Sequence, residues 1–272
     1  MNSTPERAFR FNHFVARQPS ASVVNGLSDA GGDRPIFSLF EQQHLAYCDA
    51  LQQAGGKVTT LPPLDAYPDA VFVEDPAICF DGIAVTLRPG APTRAGEAEA
   101  IEPALSILFP TVIPLPGQGT IEGGDVLLTD NEAFIGLSAR TNQAGFDALR
   151  EILEEHGYTV RRVETPETIL HFKTDCGLLD SHTLFSSAQL AATGCFEGYD
   201  VIEAPVGEEA AANLVRVNDT VLINQGYPQT YALLQEYGQD KGFDVVTLDT
   251  REAAKIDAGL SCMSLRFRLD AW

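Results

Sequence analysis

The stretch GLSCMSLRF, Gly259 to Phe267, comes five residues before the end of a 272-residue chain, where most domains leave an expendable tail. It is instead an apolar, alternating run with a cysteine inside it, and it reads as the opening strand of a unit that the chain has already built four times. Those earlier units begin at Val71 (VFVEDPAICFDGIAVTLRPG), Thr120 (TIEGGDVLLTDNEAFIGLSARTN), Ile169 (ILHFKTDCGLLDSHTLFSSA) and Ala211 (AANLVRVNDTVLINQGYP). Each runs strand, polar turn, strand, helix, strand, and the turns FDG, TDNE, DSH and NDT carry the Asp, Asn and Gly that hairpins need. One polar residue marks each opening strand: Glu74, Glu122, His171, Asn213 and Cys262, spaced 48, 49, 42 and 49 residues apart.

The fifth unit must therefore be completed from the other end of the chain. The strand HFVARQ, the helix around FSLFEQQHLAYCDALQQAG with Phe37, Phe40, Tyr47 and Leu51 on one face, and the strand KVTTLPP supply the missing parts. Helices elsewhere follow the same period: Ala98, Ile101, Leu105 and Leu108 share a face, as do Phe146, Leu149 and Leu153, and Tyr231, Leu234 and Tyr237. The helix near SAQLAATG is short and weakly patterned. The fold expected is an α/β propeller of five ββαβ units, residues 1–272 forming one domain, closed into a ring by pairing of the N- and C-terminal strands. Such closure removes the last open sheet edge.

Composition narrows the function. There are 38 acidic and 18 basic residues, a formal net charge of −20, which argues against a nucleic-acid partner and is compatible with a cationic small substrate. Solubility, or adaptation to salt, accounts for most of these charges. No apolar run is long enough to span a bilayer, and MNSTPERAFRFNHFVARQ has no apolar signal core. Five cysteines, odd in number and without metal-ligand spacing, fit free thiols in a reducing cytoplasm. GQGTIEGG lacks the spacing and the lysine of a nucleotide loop.

If the units are equivalent, the five marker residues meet near the axis. Two Glu, a His, an Asn and a Cys are costly on apolar strands, and Cys with His and a carboxylate supplies a nucleophile, an acid/base and an orienting charge. Cys176 is the local rival nucleophile, but an offset of five from His171 along one strand puts the two side chains on opposite faces. Cys48, Cys79 and Cys195 read as packing residues, and His13, His44, His156 and His182 lack motif support.

The motifs YPDAVFVEDP, TLRPGAPTRAGE, IEGGDV, GLSARTN, LHFKT, GYPQT and IDAGLSCMSLRF, which run from about Phe11 to Phe267, together resemble the dimethylarginine dimethylaminohydrolases, members of the guanidine-modifying or pentein superfamily. That resemblance implies a five-bladed α/β propeller. It also implies hydrolysis of Nω-methylated L-arginine to L-citrulline and dimethylamine or methylamine, with no metal or organic cofactor. Position by position it implies Cys262 as nucleophile, His171 as general acid and then base, and Glu122 orienting both the guanidinium and His171. Asp75, with Glu74 beside it, would grip guanidinium nitrogens. Arg94 and Arg140 would hold the α-carboxylate, with Arg94 preferred to Arg88 by the motif. Asp69 and the backbone of Leu27 would take the α-amine, Leu27 lying in a mobile lid, SVVNGLSDAGG, and the backbone of Ile256 would line the pocket. A homodimer is implied by the family. The sequence departs from the family at Asp257 and Ala258, where a second glycine is common, and in the DAGGDRPI part of the lid. The alternatives are a pentein relative acting on L-arginine or another guanidine, and a non-catalytic propeller that binds a partner.

Overall fold

The computed structural model describes residues 7–28 and 31–269, so Asp29 and Ala30 of the expected lid lie outside the described residues. The chain opens with β1 (His13–Arg17), α1 (Phe37–Gln53) and β2 (Lys57–Leu61). Four ββαβ units follow in order. They are β3 (Ala77–Phe80), β4 (Ile83–Thr86), α2 (Glu97–Leu108) and β5 (Thr111–Pro114); then β6 (Val126–Leu128), β7 (Glu132–Leu137), α3 (Gln143–Glu155) and β8 (Thr159–Glu164). The next are β9 (Cys176–Asp180), β10 (Thr183–Ser186), α4 (Ala188–Ala191) and β11 (Asp200–Glu203); then β12 (Val215–Val217), β13 (Thr220–Asn224), α5 (Pro228–Lys241) and β14 (Asp244–Leu248). A short α6 (Arg251–Ala254) leads to β15 (Leu265–Phe267).

These strands form five three-stranded sheets, and each has one antiparallel and one parallel pair around a central strand. In the first sheet β1 is central: it pairs parallel with β2 and antiparallel with β15, His13 facing Phe267 and Val15 facing Leu265. The last strand of the chain thus completes the sheet begun by the first.

Why the inner and central strands are buried on both faces, while the outer parallel strands β2, β5, β8, β11 and β14 stay partly exposed, follows from the apolar clusters. Five of them lie between consecutive sheets, and the fifth sheet shares one with the first: Phe14, Tyr47 and Leu51 pack there with Val217 and Leu222. Alternation along a strand feeds two clusters at once. In β3, Ile78 and Phe80 face the third sheet while Ala77 faces the first. Each fully buried Leu or Phe contributes roughly 2 kcal/mol before chain entropy is counted. Local chemistry sets the joints. Asp81 and Gly82 both take positive φ in the β3–β4 hairpin, as a type I′ turn requires. Asn142 caps α3 by accepting from the Gly145 N–H at 2.9 Å.

One expectation needs correcting. The five marker residues do not sit in the inner strands but two to five residues before them, at buried turns. Glu122 and His171 immediately precede the one-turn 3-10 helices Gly123–Asp125 and Phe172–Thr174; Cys262 lies inside the turn Ser261–Met263, and Asn213 directly follows Glu209–Ala212. The five units deliver these turns to the axis, and the strands behind them fix their spacing.

Candidate active site

One small cavity, about 30 Å³, is lined by Cys262, His171, Glu122, Asp75, Asp69, Arg94, Arg140, Leu27 and Ile256. Phe72, Leu170, Asp257 and Ala258 complete its wall. Nine of the ten site residues expected from the sequence converge here. The exception is Glu74, which lines a different cavity, on the far side of the turns. Its Oε1 accepts from Lys173 Nζ at 2.7 Å and from Arg266 Nη2. In the turn before β3, Glu74 is held by Lys173 and Arg266 and Asp75 by Arg94 and the Gly124 N–H, so the two adjacent carboxylates face different cavities.

Glu122 is fully buried and uses both oxygens. Oε2 lies 2.6 Å from His171 Nε2, and Oε1 accepts from the backbone N–H of Gly90 at 2.9 Å and of Ala91 at 3.4 Å. Close approach of the turns depends on the two glycines after Glu122. A Cβ at Gly123 would come 2.0 Å from the Glu74 carbonyl, and one at Gly124 would meet Asp75 Oδ1 and the His171 ring at 2.9 Å. The Gly124 N–H donates to Asp75 Oδ1 at 3.1 Å.

Asp75 and Arg94 are a buried ion pair, Nη1 to Oδ2 2.5 Å. Arg94 also donates from Nε and Nη2 to Glu97, and from Nη2 to the carbonyls of Phe72 and Asp69. A guanidinium has five donors, so Arg94 keeps little beyond one Nη1 hydrogen for a ligand and mainly orients Asp75. Asp69 Oδ1 accepts from the Leu27 N–H at 3.0 Å, which ties the described part of the lid to the cavity. Leu27 and Ile256 close over a space of water size; an amino-acid ligand needs this wall to move.

The electrostatics follow from burial among carboxylates. Burial opposes charge on His171, but Asp75, Glu122 and Asp125 outweigh it and raise its pKa to about 9. Burial, with Asp75 and Glu74, pushes the Cys262 thiol up to about 12. Burial also works against the Asp75 carboxylate, yet Arg94, His171 and the Gly124 N–H hold it below the usual range. The unliganded site therefore carries an imidazolium and a neutral thiol.

Asp75, Glu122 and His171 offer donor atoms within 4.8 Å of one another, the one group among the described residues with metal-ligand geometry. The donors are already engaged, Asp75 by Arg94 and Glu122 by His171. A cation would have to displace an imidazolium proton and compete with a guanidinium, so the set does not fit a resident metal.

Sequence reasoning missed two supports. Asp125, in the same GGD that places Glu122, is fully buried and accepts from Ser138 and Thr141 hydroxyls and from the Phe172 N–H. Asn213 is expected at the axis from its spacing, but the spacing does not say what it does there. Its Oδ1 accepts from the Ser261 N–H, and Nδ2 donates to the Lys173 carbonyl and Ser261 Oγ, bracing the Cys262 turn against the His171 turn. Cys176 opens β9 and packs with Phe134 and Leu178. It is not a second nucleophile here, because it lies outside the cavity rather than because of strand parity with His171. The departure at Asp257 and Ala258 is accommodated by Asp257 at φ +55°, a left-handed conformation Asp tolerates, which turns the chain along the cavity wall.

No family model matches the chain. It is 38% identical over 258 residues to the N(G),N(G)-dimethylarginine dimethylaminohydrolase of Pseudomonas aeruginosa, covering 94% of this chain and all of that one. It is 31% identical over 257 residues to the Streptomyces coelicolor enzyme of the same name, covering 93% and 96% of the two chains. The structure superimposes with a TM-score of 0.90 on that of a Pseudomonas aeruginosa cysteine-to-serine mutant complexed with citrulline, at 39% identity and covering 95% of this chain and 100% of the other. With this likeness over nearly all of its length and five repeated α/β units around one buried cluster, the chain belongs to the dimethylarginine dimethylaminohydrolase family.

Proposed function

We propose that the protein hydrolyses Nω-methylated L-arginine to L-citrulline and dimethylamine or methylamine, with Cys262 as a covalent nucleophile. The observation that carries this reading is the convergence of Cys262, the His171–Glu122 pair and Asp75 on one buried cavity in a chain so similar to a dimethylarginine dimethylaminohydrolase.

The chemistry follows from the charges. A guanidinium is planar, cationic and a donor only, so carboxylates are its natural partners. Its carbon is a poor electrophile, which makes fixed positioning next to the sulfur essential. Asp75 and Glu122 hold the guanidinium, Arg140 takes the α-carboxylate with Arg94 behind it, and Asp69 with the Leu27 backbone takes the α-amine. The entering cation stabilises the Cys262 thiolate, and the thiol proton leaves to solvent. Sulfur attacks the guanidinium carbon. The His171 imidazolium protonates the departing amine as the tetrahedral adduct collapses to a thiouronium. Neutral His171 then takes a proton from water, whose oxygen adds to the same carbon. Expulsion of the Cys262 thiolate, with loss of the remaining hydroxyl proton to solvent, gives citrulline.

A panel of asymmetric dimethylarginine, monomethylarginine and L-arginine, read as citrulline formed, tests the assignment. The methylated substrates should turn over faster; far faster turnover of L-arginine would reassign the protein to a related hydrolase of unmethylated guanidines, and no citrulline from any of them would leave only a binding role. The whole chain acts as one domain in this proposal, and a homodimer is the expected assembly. All five cysteines are free, in keeping with a cytoplasmic enzyme, and among the described residues no helix is long and apolar enough to cross a membrane.

A further inference from the structure

A second and larger cavity, about 880 Å³, is distinct from the one that holds Cys262, and the two share no lining residue. It runs along the axis between the inner strands β3, β6, β9, β12 and β15, beyond the turns that carry the site. The partition is thin. Glu74 and Ser261 line the axial cavity, while the next residue in each case, Asp75 and Cys262, lines the other. Its size falls in the range of pockets that enclose a small organic ligand, about 300–1,000 Å³.

Its charge is the reverse of the chain's. Acidic residues outnumber basic ones 38 to 18 overall. Among the described residues, Arg7, Arg10, Lys173, Arg216, Arg266 and Arg268, a third of all the basic residues, stand around this cavity with two acidic lining side chains, Glu74 and Asp81, and Arg10 pairs at 2.6 Å with Asp219. Asp81 is engaged by Arg7. At the inner end a single oxygen of Glu74 serves both Lys173 and Arg266, while its Oε2 is buried without a partner. Lys173 is only 8% exposed. Two cations against one carboxylate leave a surplus positive charge where water screens it poorly, and such a surplus is stabilised by a bound anion. Arg10 and Arg268, more exposed, stand where an anion enters.

We propose that the axial cavity binds a small phosphorylated anion, a phosphate ester or pyrophosphate group carrying at least two negative charges, between Lys173 and Arg266 at its inner end and Arg10 and Arg268 at its mouth. Phosphate oxygens match a pair of guanidinium forks and a lysine in charge and geometry. A concave, cationic, low-dielectric recess also concentrates anions that the rest of this acidic surface repels.

The test is calorimetric titration of the full chain with inorganic pyrophosphate at ionic strength held constant with sodium chloride, together with thermal melts. The expected result is saturable binding with a Kd at or below about 1 mM, a rise of several degrees in Tm, and no displacement by saturating citrulline. The double variant R10Q/R268Q, changed where the cavity meets solvent and therefore expected to fold, should bind about tenfold more weakly, and Lys173→Gln weaker again. The proposal is overturned by the absence of saturable heat up to about 10 mM pyrophosphate, by unchanged affinity in R10Q/R268Q, by competition with citrulline, or by equal stabilisation from sodium chloride at matched ionic strength.

Discussion

Replacing Asp125 with asparagine tests whether the site is held together from behind. Asp125 is fully buried. Its Oδ2 accepts from Ser138 Oγ and Thr141 Oγ1, both at 2.6 Å, and Oδ1 accepts from the Phe172 N–H at 2.9 Å. Through these it joins the segment bearing Arg140 to the turn bearing His171. An amide must point its NH₂ either at the two hydroxyls or at the Phe172 N–H. In the first case Ser138 Oγ has no room to accept, because it already takes the N–H groups of Arg140 and Thr141. In the second, two donors face each other. Either way a charge-assisted bond is lost, worth about 1.5–3 kcal/mol, and a buried donor is left unsatisfied, at about 1–3 kcal/mol. Burial pushes the Asp125 carboxyl up, so neutralising it recovers part of that cost. The net loss expected is about 2–4 kcal/mol in urea unfolding. Asp125 is also one of the carboxylates that raise His171, so an NMR titration of His171 should move down from about 9 towards its ordinary value, and turnover should fall with it. A loss under about 1 kcal/mol, with His171 titrating as before, would refute the role.

Three other outcomes follow. The raised pKa of His171 stabilises the fold fully below about 6.5 and is lost as pH rises through about 9; across that window wild type should lose about 3 kcal/mol more than His171→Gln in urea unfolding, and parallel losses would count against it. With the Cys262 thiol pushed up to about 12, iodoacetamide inactivation of the free protein should climb with pH without levelling off below about pH 10, and a plateau near the ordinary thiol range would contradict the burial argument. Deleting residues 261–272 removes β15 as well as Cys262 and should abolish the cooperative melt; a cooperative transition in the truncated chain would mean that β1 does not need its antiparallel partner.

The fold was legible because the repeat is carried by spacing rather than by identity. The helix beginning at Phe37 and the strand pair at the two chain ends follow from periodicity without knowledge of any contact, and β1 with β15 and β2 occupies the place they require. What misled was the buried turn. Gly123, Gly124 and Asp125 are turn residue types, yet all three are inaccessible, whereas turns are usually sought at the surface. The flanking residues Ile121 and Val126 are apolar, so the marker residues look as if they belong to the strand. The same cause hid the side on which Glu74 falls. Two adjacent carboxylates, Glu74 and Asp75, give no sign in the sequence of which faces the nucleophile, since that depends on where the strand begins. Asp125 and Asn213 escaped for another reason: their partners are hydroxyls and backbone N–H and C=O groups 13 to 48 residues away, which leave no mark on the sequence.

The arrangement also reconciles so acidic a surrounding with the thiolate proposed at Cys262. Carboxylates near a cysteine raise its pKa, the opposite of what a nucleophile needs. Here Asp75 and Glu74 act in that direction on Cys262, and burial acts with them. The same Asp75 and Glu122 raise His171, so the acid needed for the leaving amine is in place before any ligand arrives. What the proposed mechanism adds to the His171 imidazolium is a second positive charge, beside the sulfur. Arg94 cannot supply it, because its donors are spent on Asp75, Glu97 and two carbonyls. A guanidinium lodged between Asp75 and Glu122 can, and it brings the carbon to be attacked with it. In the proposed mechanism Cys262 is then ionised by its own target, and in the absence of a guanidine it stays a thiol, which is slow to oxidise.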